Sequence, residues 1–118
     1  MEKQFDCIVC GSCTVDIVVR PFPLDKPTGS NRLLKADKIE ATTGGLVSNS
    51  GIAMGRLGMR SAAFSYVGDD DWARVVRDRY QANGLCTDHL LTHPEMPTST
   101  TIVMVDESGE RSFLHAQG

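Results

Sequence analysis

The run Gly44-Gly45-Leu46-Val47-Ser48-Asn49-Ser50-Gly51-Ile52-Ala53-Met54-Gly55-Arg56-Leu57-Gly58 constrains this chain more than any other segment. Paired glycines let backbone N–H groups come close to a neighbour. A helix that starts there adds unpaired donors and a partial positive charge. The pattern predicts a short helix, capped by Ser48 or Asn49 and stopped at Leu57-Gly58. Inside it, Gly51 and Gly55 cost about 1 kcal/mol each relative to Ala, and close packing on a sheet is the natural compensation. Two uses fit the segment: a cradle for an oxygen-rich ligand, or a tight turn before a closely packed helix. It is neither a dinucleotide fingerprint nor a P-loop. No G-x-G-x-x-G follows the first strand, and no Lys-Ser/Thr pair follows the glycines.

The flanking segments supply the sheet. Cys7-Ile8-Val9-Cys10 reads as a buried strand, and Thr14 to Arg20 continues extended. Pro21, Pro23, Pro27 and the turn-rich Thr28-Gly29-Ser30-Asn31 break the chain into a loop. Residues 32–43 read as one or two solvent-facing strands. Ser61 to Val67 is a second core strand. Gly68-Asp69-Asp70-Asp71 then leads into an amphipathic helix whose Trp72, Val75, Val76 and Tyr80 share a face. Leu85 to Leu91 holds a third strand. Thr98–Val105 and Glu110–His115 form a hairpin around Asp106-Glu107-Ser108-Gly109. The β-α-β-α-β order implies a parallel α/β sheet, with the extended excursion and the hairpin forming a small accessory sheet. A sheet of three core strands leaves an edge and one face unshielded.

At 118 residues the chain is one domain or a piece of one. Twelve basic residues are scattered and outnumbered by 15 acidic ones, which speaks against a nucleic-acid surface. No apolar run has the length of a membrane span, and Met1-Glu2-Lys3-Gln4-Phe5-Asp6 lacks the order of a signal peptide. A cytoplasmic protein with reduced thiols is the expectation.

Several residues invite chemistry. Asp16 sits among Val15, Ile17 and Val18; it is either a hydrogen-bond acceptor for substrate hydroxyls or a solvent-facing strand position. Cys7, Cys10 and Cys13 have a metal-like spacing, but Ile8-Val9 are strand formers. A strand turns Cys7 and Cys13 one way and Cys10 the other, so small buried hydrophobes are the better reading. His89 and His93 lack partner spacing for zinc. The three aspartates at 69–71 either bind a cation or, more simply, cap and charge the following helix.

Together these segments resemble the ribokinase-like (PfkB) carbohydrate kinases. Gly44 to Gly58 is similar to that family's first signature, G-G-x-x-x-N followed by L-G. Gly11-Ser12-Cys13-Thr14-Val15-Asp16 resembles its first strand with a substrate-binding Asp. Val67-Gly68-Asp69-Asp70 resembles its V-G-D-D turn, Asn83-Gly84-Leu85 the end of its second helix, and Thr98–Val105 with Gly109-Glu110-Arg111 its later lid strands. Leu46 stands where ribokinases usually carry Lys, Val47 where Gly or Pro is common, and Thr14 where Asn is frequent, which leaves the particular sugar unassigned.

The resemblance implies a ribokinase-like α/β fold, a parallel sheet with flanking helices plus a β lid built from residues 14–20, 32–43, 98–105 and 110–115. It implies transfer of the γ-phosphate of ATP, with Mg²⁺, to a hydroxyl of a sugar or nucleoside. Substrate contacts would come from Asp16, Gly44, Gly45, Asn49, Thr101 and Val103, converging on one polyol-sized cleft. Lid strands would pair two subunits into a homodimer. The family's second signature, D-T-x-G-A-G-D, is not in this sequence, nor is the nucleotide pocket. The chain therefore looks like the N-terminal part of such a kinase and is expected to have no kinase activity alone. The alternative is a non-catalytic binding or assembly module that pairs through its lid strands.

Overall fold

The computed structural model describes residues 2–118. In chain order they form β1 (Cys7–Cys10), β2 (Thr14–Arg20), β3 (Lys38–Gly44), α1 (Gly45–Arg56), β4 (Ser61–Val67), α2 (Asp71–Ala82), β5 (Leu85–Cys86), β6 (Leu90–Thr92), β7 (Thr100–Val105) and β8 (Arg111–Ala116). Two sheets result. The body sheet has the order β1-β4-β5, with β6 also pairing β4, and every pairing in it is parallel. The third core strand is interrupted: a turn closed by the Leu90 N–H on the Thr87 carbonyl splits it into β5 and β6. The second sheet has the order β3-β2-β7-β8, with β2 and β7 parallel and the other pairs antiparallel.

The core lies between one face of the body sheet, α1, α2 and the root of β2. Val9, Val15, Val47, Ala63, Val67, Val76, Tyr80, Leu85 and Leu90 pack there. Tyr80 is fully buried and its hydroxyl meets Ser48 Oγ at 2.6 Å, which links α2 to α1. The helical glycines are explained by contact. A Cβ on Gly51 would meet Leu85 Cδ2 at 2.8 Å, and one on Gly55 would overlap the Asn83 carbonyl.

Four local expectations need correction. The helix begins at Gly45, ahead of Ser48 and Asn49, with Gly44 as N-cap and no side-chain cap. The Val47 N–H instead donates to the Ser12 carbonyl at 3.1 Å, so the neighbouring loop takes the place of a capping side chain. Trp72 is not part of the buried face: α2 buries Ala73, Val76 and Tyr80, half-buries Val75 and leaves Trp72 38% exposed. Within 32–43 only residues from Lys38 onward form a strand, and residues 32–37 are irregular. The hairpin strands run from Thr100 and from Arg111, slightly later than the pattern indicated.

Candidate functional site

Val15 is fully buried against the core, so strand alternation turns Asp16 to the opposite face of the second sheet. There its carboxylate accepts a hydrogen bond from Thr14 Oγ1 at 2.7 Å. It also lies against Gly44, where a Cβ would overlap Oδ2. Glycine at 44 is thus required by the approach of Asp16. Gly45 is required for two reasons: its φ is +83°, and a Cβ would stand 2.6 Å from the Ser12 carbonyl oxygen.

The strand register extends the site. Asp16 stands opposite Thr42 on β3 and Thr101 on β7, and Thr101 stands opposite His115 on β8. Directly paired residues share a face, so Thr42, Asp16, Thr101 and His115 form one polar rung across all four strands. Thr101 Oγ1 and His115 Nδ1 are 2.9 Å apart. Two residues further along, Glu40, Val18, Val103 and Phe113 form a second rung on that face. Val103 is buried at 8% and Phe113 is 62% exposed. Thr42, His115 and Phe113 were missed in the sequence. Their proximity to Asp16 depends on which strands pair and in what register, and only the alternation within each strand was legible.

A cavity of about 510 Å³ opens beside the base of this sheet, at the carboxyl ends of β1 and β4. Its wall runs over Gly11–Cys13 and Phe64–Val67 and reaches Ser99. Crevices at the carboxyl ends of parallel strands are the usual ligand positions in open α/β sheets. Asp16, Gly44, Gly45, Thr101 and Val103 do not line it; they gather on the second sheet and its junction with α1. Asn49 lies elsewhere. It is exposed on α1 and lines a groove with Thr43, Ser48, Ile52, Arg56 and Arg79. Thr43 is on the Val15 side of β3, away from Asp16, and its hydroxyl is buried without a partner.

Of the cysteines read as small buried hydrophobes, only Cys13 is buried; Cys7 is half-buried, and strand alternation turns Cys10 to the open face of the body sheet. Cys7 Sγ lies 3.2 Å from Met54 Sδ, Cys10 is exposed, and Cys13 Sγ is 3.5 Å from the Tyr66 carbonyl. Burial pushes the Cys13 thiol above its ordinary range. Asp70 caps α2 by accepting from the Ala73 N–H at 3.0 Å. Its burial opposes ionisation, but hydrogen bonds from Thr98 and Ala73 outweigh that and hold the carboxyl below its ordinary value. Among the described residues, no three His, Cys, Asp or Glu gather as a metal-binding group. No helix among them is long and apolar enough to cross a membrane.

This α/β body with a flanking β-sheet is the ribokinase-like fold. The profile of the pfkB family carbohydrate kinases matches residues 5–118, and the chain belongs to that family. The chain is 36% identical to a fructokinase of Vibrio alginolyticus over 105 residues, which covers 89% of this chain and 30% of that protein. It is 28% identical to the ribokinase of Bacillus subtilis, covering 95% of this chain and 36% of that one. The chain therefore spans about a third of the length of these relatives. The structure superposes on Arabidopsis thaliana ribokinase, solved with ribose and ATP, with a TM-score of 0.82 at 18% identity, over 97% of this chain and 36% of the other. A fructokinase from Vibrio cholerae gives a TM-score of 0.72 at 29% identity, over 97% of this chain and 34% of that chain.

Proposed function

We propose that this chain is the substrate-binding portion of an ATP-dependent carbohydrate kinase acting on a sugar or nucleoside, with the second sheet as its lid. The observation that carries the reading is the polar rung: a half-buried carboxylate, oriented by Thr14, beside the Gly44-Gly45 turn and next to Thr101. A carboxylate flanked by hydroxyls is suited to accept hydrogen bonds from a polyol, and such charge-assisted bonds contribute about 1.5–3 kcal/mol each. Gly44 and Gly45 bring backbone close to the same place, and Val103 supplies an apolar neighbour for sugar carbons. Asn49 belongs to the proposed substrate set by its place in the signature, while its side chain lies toward the α1–α2 groove.

ATP supplies the phosphoryl group in this reading and Mg²⁺ its charge neutralisation, both held by parts of such a kinase that this sequence does not carry. Phosphoryl transfer depends on positioning and charge stabilisation from several parts at once. The chain alone therefore binds sugar without phosphorylating it. Pairing of two chains through the lid strands and a cytoplasmic location complete the proposal. A second reading, a binding or assembly module without chemistry that pairs through its lid strands, draws on β3 and β8, the outer strands of the second sheet.

Isothermal titration against D-fructose, D-ribose and a nucleoside separates the two readings. Binding of one of them, weakened about 10- to 100-fold in Asp16→Asn with the fold intact, is the expected result. Absence of binding to all three favours the assembly module. ATP-dependent phosphorylation by the chain alone would overturn the claim that it is inactive.

A further inference from the structure

The chain passes between the body and the second sheet at three places: before β2, between β3 and α1, and before β7. The first two are tied together around Ser12, whose carbonyl accepts the Val47 N–H and lies against Gly45. The third is tied to a different part of the body. Thr98, only 2% exposed, donates its N–H to Asp70 Oδ2 at 2.9 Å and its hydroxyl to Asp70 Oδ1 at 2.6 Å. The same hydroxyl accepts the Gly68 N–H at 2.9 Å. Gly68 is held so close that a Cβ there would stand 2.6 Å from the Thr98 nitrogen and 2.7 Å from Pro97. A helix cap needs only one carboxylate oxygen, which Asp70 gives to Ala73 through Oδ1. Oδ2 is committed to the segment that enters β7. Three residues beyond Thr98 comes Thr101, the neighbour of Asp16 on the polar rung.

We propose that Asp70 and Thr98 form a latch, a pair of positioning residues that hold Thr101 and Val103 beside Asp16, so that sugar affinity depends on a carboxylate at the start of α2. This rests on the reading of the rung as the sugar site. The latch fastens the β7–β8 half of the second sheet to the body, while the β2–β3 half is fastened separately at Ser12. β2 and β7 are also joined directly, by the Val15 N–H on the Ser99 carbonyl and by pairing from Val15–Thr100 to Val19–Met104. Losing the latch therefore frees the root of β7 from the body while that ladder remains, and the added motion falls on β7 and β8.

The test compares Thr98→Val, which keeps the shape and deletes the hydroxyl, with Thr98→Ser, which keeps the hydroxyl. Amide hydrogen exchange is followed in β7 and β8 and, as an internal reference, in β4, with sugar titration alongside. In Thr98→Val, exchange across β7 and β8 should rise about tenfold while β4 is unchanged, and sugar affinity should fall about tenfold. Thr98→Ser should restore both to within about twofold of the parent. Equal acceleration in β4, or equal effects of Val and Ser, would reduce the pair to ordinary structural contacts and overturn the latch. If the parent chain binds no sugar, the functional reading fails, and the exchange pattern alone decides the latch. Should Thr98→Val not fold, Asp70→Asn, which replaces one carboxylate acceptor with an amide NH2 donor that cannot accept the Thr98 N–H, is read by the same criteria.

Discussion

The two faces of the body sheet come from the same strands and have opposite fates. On one face Val9, Ala63 and Val67 are buried beneath α1 and α2. On the other, Ile8, Phe64 and Tyr66 are 54%, 44% and 57% exposed, and Tyr66 meets the edge of His93, ring centres 6.0 Å apart. A strand that is apolar on both sides is the mark of a parallel sheet covered on both sides. The residue types in β1 and β4 are thus those of a two-sided sheet, while residues 2–118 cover one side. Hydrophobicity alone did not tell the faces apart; the positions of the two helices did.

The largest expected effect sets core against bare face. Leu85→Ala removes a side chain that is 1% exposed and packs on Gly51, and should cost about 2–5 kcal/mol in urea unfolding. Phe64→Ser on the bare face, where the ring is 44% exposed, should cost less, about 1 kcal/mol. Equal losses would mean that the two faces are equally covered in solution, and the comparison would break.

A smaller effect separates two tyrosines. Tyr80→Phe leaves the buried Ser48 hydroxyl without its partner and should cost about 1–3 kcal/mol. Tyr66→Phe, with an exposed ring, should be neutral within about 0.5 kcal/mol. Thermal unfolding of both variants measures the difference.

Alkali gives the finest test. Burial pushes Tyr80 well above its ordinary value of 10.0, against a smaller opposing hydrogen bond from Ser48, and pushes Cys13 above 9.0. In both, the folded state keeps a proton that the unfolded chain sheds. Stability is therefore full below about pH 9 and falls as pH rises beyond the unfolded values. Urea midpoints at about pH 8 and about pH 10.5 should differ, and Tyr80→Phe should shrink that difference.

Much of the body was legible in the sequence, for local reasons. The turn at Gly45 and the stop at Gly58 follow from a positive φ at one residue, and a cap within Asp69–Asp71 follows from the open N–H groups of the helix start. Close packing at Gly51 and Gly55 was legible too, but their partners, Leu85 and Asn83, were not. The errors arose where a neighbour distant in sequence decided. Ser48 and Asn49 were poor caps because the Ser12 carbonyl already served α1. Trp72 is amphipathic by pattern, yet the stripe through Ala73, Val76 and Tyr80 is the one that meets the core.

The sequence by itself determined the alternation of strands and helices, the turn and stop glycines at 45 and 58, and the placement of Asp16 on the far face from Val15. These follow from backbone sterics and from the two-residue period of a strand. Tertiary structure alone decided that Thr42, Thr101 and His115 join Asp16, that Asn49 faces another groove, and that Asp70 reaches Thr98. Each of those depends on register between segments tens of residues apart, which is set by the packing of the whole and is not written in any one stretch.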